Sequence, residues 1–303
     1  MRSTPKPRLL TPPREEEEIY PYRRVWSSIT IEAILLFVIT IGFYAAKNFL
    51  GITFPSNFRL PLNLLLALSP IGMWLVFSYF RERNALEPRR RLMVILIVTG
   101  LAANAIGLPL LDDYLHVDQW LSLSSAVERI LGYAFTVGVI QEGIKYMVVR
   151  YFVWPNRLRI RLDAVAYAAA SAVGYATVVN LHFIANGTPS PDVVAVRVFS
   201  TTALHTATAV LVGYGLASSR FGTGSFILLP FMMFLATFIT GIAIPLRSGL
   251  VNAGLVQGIG NPNALLGLLF SIGLYVVPLV IAAFLFNAQE NRQEESITGR
   301  SKG

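Results

Sequence analysis

Residues 92–111 read LMVILIVTGLAANAIGLPLL, twenty positions without a charged side chain. A helix rises about 1.5 Å per residue, so this run matches the roughly 30 Å hydrocarbon core of a bilayer. Seven further windows meet the same condition, at 25–46, 60–80, 125–152, 162–185, 193–217, 226–246 and 265–286. In lipid every backbone N–H and C=O needs an internal partner, which long apolar helices supply. The fold expected is therefore all-α, a polytopic transmembrane helical bundle of about eight spans.

Composition leads to the same place. The 303-residue chain is 54% hydrophobic and 14% charged, whereas a soluble domain carries about 25% charged residues to face water. Its formal net charge of +8 comes from basic residues that flank the apolar runs rather than forming one stripe, so nucleic acid is not an expected partner. Cysteine is absent, which excludes disulfides, thiolate metal sites and a cysteine nucleophile. The opening residues 1–24 are Pro-rich and charged, with the run Glu15 to Glu18, and read as a disordered cytoplasmic tail. Residues 25–287 form the bundle, with the first span as an uncleaved targeting signal. Residues 288–303 read as a second disordered cytoplasmic tail. The segment 248–263 is mildly apolar and reads equally as re-entrant or as a short interfacial helix.

Lys and Arg concentrate on the cytoplasmic side of spanning proteins. With the amino terminus inside, 19 of the 25 fall in cytoplasmic segments, three fall outside (Lys47, Arg59, Arg247), and Arg129, Lys145 and Arg197 lie within spans. Both termini are thus expected in the cytoplasm, in a multi-pass protein of a bacterial cell membrane.

A charge at the centre of a span costs at least about 2.5–3.5 kcal/mol, so such residues pair or mark a functional cavity. They concentrate in spans four to six: Glu128, Arg129, Gln141, Glu142 and Lys145, then Asn180 and His182, then Arg197 and His205. The central portions of the other five spans read as free of ionisable residues. Glu142 and Lys145 stand three apart and can neutralise one another on one helix face. Span five is dense in Ala and Gly from Ala164 to Ala176, a surface that lets neighbouring helices approach closely. A carboxylate facing an imidazole in a dry cavity can activate water, and an amide or guanidinium can stabilise an oxyanion. That chemistry suits peptide-bond hydrolysis within the membrane. No His-Glu-x-x-His zinc helix, Gly-x-Ser-Gly nucleophile or Gly-x-Gly-Asp motif occurs.

These residues resemble the PrsW-type intramembrane proteases, distant relatives of the CAAX-processing glutamate proteases. The family's Glu-Glu-x-x-Lys reads here Gln141-Glu142-Gly143-Ile144-Lys145. Its Asp followed by a small-residue run ending in Glu-Asn reads Asp163, then Gly174-Tyr175-Ala176-Thr177-Val178-Val179-Asn180. Its Arg and His eight apart, with a Gly beyond, read Arg197, His205 and Gly213. The resemblance covers roughly residues 125–220. It implies a peptidase of membrane-anchored proteins, with Glu142 as base, His205 as its partner or a water ligand, Lys145 orienting Glu142, and Asn180 or Arg197 as oxyanion donor. Two motif acids are replaced, by Gln141 and Val179, and His182 stands where it can substitute for the second. One Glu and one or two His make no metal site, so no cofactor is expected. The replaced acids also motivate an alternative, an inactive relative that binds single-span partners. A small-solute transporter is less favoured, since no internal repeat stands out.

Overall fold

The computed structural model describes residues 24–83, 88–121, 124–221, 226–252 and 264–300. Helices form over every apolar window, and no strand occurs among the described residues. In chain order they are α1 (Arg24–Asn48), α2 (Ser56–Arg83), α3 (Leu92–Tyr114), the short α4 (Val117–Leu121), α5 (126–152), α6 (Arg161–Ala185), α7 (Pro191–Phe221), α8 (Leu228–Asn252) and α9 (Ala264–Arg300). Seven of them are long and apolar enough to cross a bilayer. The window at 125–152 is not among those seven, because Gln141, Glu142 and Lys145 dilute its apolar character. It is nonetheless one unbroken helix. Val127, Leu131, Phe135, Val139, Met147 and Tyr151 lie exposed along one side of it, mostly four residues apart. Gln141, Glu142 and Lys145 point inward, away from this apolar stripe, as a lipid-facing helix requires.

Burial sorts the helices. In their most apolar stretches α6 is 89% buried and α7 is 83% buried, against 22–44% for the other five of the seven. These two are also the least apolar of the set. A helix against lipid must be apolar outside, whereas one enclosed by other helices is free to carry hydroxyls, amides and charges. α7 packs against α6, α9, α8, α1 and α2, and α6 packs against α7, α3, α2 and α5.

Small residues set the crossings. A Cβ on Gly174 would strike the carbonyl of Leu96, so α6 and α3 touch backbone to backbone there. A Cβ on Gly213 would stand 3.0 Å from Val165 Cα, where α7 crosses α6. Ala134 and Gly138 on α5 face Thr237 and Gly241 on α8, and a Cβ on Gly138 would stand 2.6 Å from the Thr237 carbonyl oxygen. Two pairs of small residues four apart are the pattern that brings membrane helices into close contact. The backbone widens to a π-turn over Ala134–Gly138, one of four such turns among the described residues. A π-turn adds a residue to the coil and re-aims the side chains that follow. Pro70 inside α2 removes the donor that would meet the Leu66 carbonyl, and the Ser69 hydroxyl donates to that oxygen instead at 2.7 Å.

One end of the bundle is fastened by charge. Arg89 donates to Glu82 on α2 at 2.7 Å and to Asp163 on α6 at 2.6 Å. Asp163 also accepts from the backbone N–H of Ile160 and Arg159, at 3.0 and 2.7 Å, closing the start of α6. Burial opposes the charge on Arg89, but Asp163 and Glu82 outweigh it and hold the guanidinium above its ordinary range.

Several sequence expectations change. The first tail, 1–24, lies outside the described residues except for Arg24. α9 continues as helix to Arg300, through the stretch from 288 read as a disordered tail; its Gln, Glu and Arg residues are good helix formers. Arg247, assigned to an outer loop, lies within α8, which extends to Asn252, and 253–263 lie outside the described residues. Glu32 lies inside α1, a span read as free of ionisable groups in its centre, and is only 9% exposed. The apolar residues that surround it had masked it.

Gly174→Ala is expected to destabilise the protein by about 1–3 kcal/mol, because the Leu96 backbone has to move. Gly273→Ala, with nothing within 4 Å of its added methyl, is expected to be neutral or stabilising by up to about 1 kcal/mol. Thermal unfolding of the two variants in one detergent checks the contrast.

Candidate active site

The site grows from one turn of α5. Glu142 and Lys145 are three apart, so both point to the same side, toward α7 and α8. Lys145 Nζ lies 2.8 Å from Glu142 Oε1, and the two side chains are 4% and 1% exposed. The ammonium lies within hydrogen-bond distance of Glu142 Oε1, Thr208 Oγ1 at 3.0 Å, His205 Nδ1 at 3.4 Å and, at 3.5 Å, the His205 carbonyl. An ammonium only donates, so His205 accepts at Nδ1 and carries its proton on Nε2. Glu142 Oε1 also accepts from the Thr240 hydroxyl of α8 at 3.4 Å. Its other oxygen, Oε2, is buried without a hydrogen-bond partner.

α6 forms the wall. The Tyr175 ring lies 5.0 Å from the His205 ring, centroid to centroid. Ser171 bonds Thr99 of α3 at 3.0 Å and reaches the Lys145 carbonyl. A small cavity opens beside Glu142 and Lys145, lined by Ala168, Ser171, Ala209 and Val212 among others. The alanines leave space where larger side chains would cover the pair. Tyr175 fits because Gly107 of α3 faces it; a Cβ on Gly107 would stand 2.8 Å from the phenol oxygen.

Three of the expected residues, Glu142, Lys145 and His205, thus meet. The others stand apart. Asn180 is 1% exposed, with both amide atoms lacking hydrogen-bond partners, but at five residues beyond Tyr175 it points about 140° away around α6. Arg197 packs its guanidinium over the Phe183 ring at 4.1 Å, two turns from His205 on α7. His182 pairs with Asp112 of α3 at 3.0 Å and with Asn186 at 2.8 Å, on a partly exposed edge. Gln141 is buried beside Glu142, with its amide oxygen unpartnered. Sequence reading missed Thr208 and Thr240, and quoted Tyr175 in the motif without placing it in the site. Thr208 was accessible, being one turn beyond His205 on the same face, whereas nothing in α8 marks Thr240 out from its other threonines.

The donor set does not suit a metal ion. Among the described residues no group of three or more His, Cys, Asp and Glu side chains lies close enough to hold one. The carboxylate and imidazole that do approach each other both face Lys145 Nζ, at 2.8 and 3.4 Å.

Removing one partner of a buried pair leaves an uncompensated charge and costs about 3–5 kcal/mol. Lys145→Met is therefore expected to lose stability on that scale, and the double variant Glu142→Gln, Lys145→Met to recover most of it. A double-mutant cycle by thermal unfolding in detergent reads the coupling; additive losses would mean that the two groups do not interact.

Residues 87–283 match the sequence profile of PrsW family intramembrane metalloproteases, while no curated protein and no solved structure matches the chain. The matched region spans α3 to α9 and includes the Glu142–Lys145–His205 cluster, more than half of the chain, so the protein belongs to the PrsW family.

Proposed function

We propose that this protein is a PrsW-type intramembrane peptidase that hydrolyses membrane-anchored protein substrates, with Glu142 as its base. The observation that carries the reading is the buried Glu142–Lys145–His205 cluster inside the family's matched region. Lys145 fixes Glu142 through Oε1, which leaves Oε2 free to take a proton. In the proposed reaction Glu142 Oε2 accepts a proton from a water whose oxygen attacks the scissile carbonyl carbon. The C–O bond forms, the carbonyl oxygen becomes an oxyanion, and His205 Nε2–H donates to it. Collapse breaks the C–N bond, and Glu142 returns its proton to the departing amine. Asn180 points to another side of α6 and Arg197 stacks on Phe183, so His205, in contact with Lys145, is proposed as the oxyanion donor. The family name specifies a metal, but these donors do not fit one, and no step is assigned to it. A membrane of bacterial type and scission in the cytoplasmic half of the bilayer belong to the same proposal.

A second reading, an inactive relative that binds single-span partners, is favoured by one feature. Gln141 and Val179 stand where the family carries acids, and an amide cannot take a proton from water.

The test compares membrane-protein fragments released in cells that express the wild type, Glu142→Gln, or Gln141→Glu with Val179→Glu. Active-site proton transfer contributes about 10²–10⁴-fold, so Glu142→Gln is expected to lower fragment release by at least about a hundredfold at equal expression. Cleavage by the restored double variant alone would establish the inactive-relative reading. Cleavage undiminished in Glu142→Gln would remove Glu142 from the mechanism.

A further inference from the structure

The Glu142 cluster is not the bundle's only buried polar centre. Glu32 on α1 is 9% exposed, inside a helix that is apolar on either side of it. Its Oε1 accepts from the Ser78 hydroxyl of α2 at 2.6 Å. Among the described residues no Lys, Arg or His lies within ion-pair distance of it, in contrast to Glu142. Beside it is a cavity of about 20 Å³ lined by Glu32, Pro70, Thr202, Thr206, Tyr275 and neighbouring apolar groups. That space suffices for one water-sized occupant, which needs about 10–15 Å³. Thr202, which lines the cavity, is 7% exposed, and its hydroxyl has no hydrogen-bond partner. The Tyr275 hydroxyl donates to the Ile29 carbonyl, one turn before Glu32.

A lone carboxylate in this position has to be neutralised, because an unpaired buried charge is too costly to keep. A proton does so, and so does one monovalent metal cation. A divalent ion would leave a surplus positive charge in the same apolar surroundings. The oxygens of Glu32, Thr202 and Thr206 are hard donors of the kind alkali cations take, and no nitrogen or sulfur donor lines the space. We propose that Glu32, Thr202 and Thr206 form an intramembrane site for one sodium-sized monovalent cation, which exchanges with a proton on Glu32. The site is independent of the peptidase reading. α7 serves both centres from successive residues, turning His205 toward Lys145 and Thr206 toward Glu32.

The test uses the purified full chain in detergent and dicyclohexylcarbodiimide, which modifies protonated carboxyls in apolar surroundings. Modification of Glu32 is followed by peptide mass spectrometry in sodium chloride and in choline chloride at equal ionic strength. The expected result is modification of Glu32 in choline that slows severalfold as sodium is added. Thr202→Val is expected to keep the modification in choline and to lose most of the sodium protection, and Glu32→Gln to abolish labelling at that peptide. Equal rates in sodium and choline would overturn the cation site, leaving a plain protonated acid. Glu32 unreactive in both salts, or sodium protection unchanged in Thr202→Val, would overturn it as well.

Discussion

A carboxylate and an ammonium on one membrane helix cannot face lipid, and much of this architecture follows from that restriction. Glu142 and Lys145 turn α5 so that its charged side meets α7 and α8 while Val127 to Tyr151 meet the acyl chains. Their mutual attraction is not enough to offset desolvation, since isolated buried pairs often break even at best. Thr208, Thr240 and His205 complete the ammonium and one carboxylate oxygen, and each comes from a helix other than α5. The pair therefore demands a particular arrangement of three helices rather than merely tolerating one.

That arrangement is possible because the central helices are thin. Glycine and alanine at the α3–α6, α6–α7 and α5–α8 crossings let backbones touch, which is how membrane helices gain packing energy without a hydrophobic drive between them. Close approach has a second effect. It places most of α6 and α7 out of reach of lipid, so they carry buried threonines, His205 and Arg161 at little cost. Polarity and burial thus reinforce one another, and the least apolar spans become the core.

Much of the family's motif serves this packing rather than chemistry. Asp163 closes the start of α6 and anchors Arg89. Gly174 admits Leu96, and Gly213 admits Val165. The Glu142–Lys145 turn, His205 and Tyr175 gather around one point. A motif read as a string treats all of these alike, because spacing records which residues share a helix and leaves open what each one meets. Asn180 and Arg197 illustrate the point. Both sit at motif positions, yet one points to another side of α6 and the other stacks on Phe183.

The sequence by itself determined the solvent and the secondary structure. Runs of about twenty apolar residues in a chain poor in charge admit only membrane-spanning helices, since backbone groups in lipid have no other partners. It also identified Glu142, Lys145 and His205, because ionisable residues in such runs are too costly to be incidental. Tertiary structure decided which polar residues share a site and which stand alone. Glu32 passed unnoticed among Ile and Leu, although it is a buried carboxylate with no basic side chain paired to it among the described residues, and Arg247 passed for a loop residue. The reason is geometric. Hydropathy and spacing are properties of one helix, while the neutralising partner of a buried charge, or its absence, depends on which other helix packs against it.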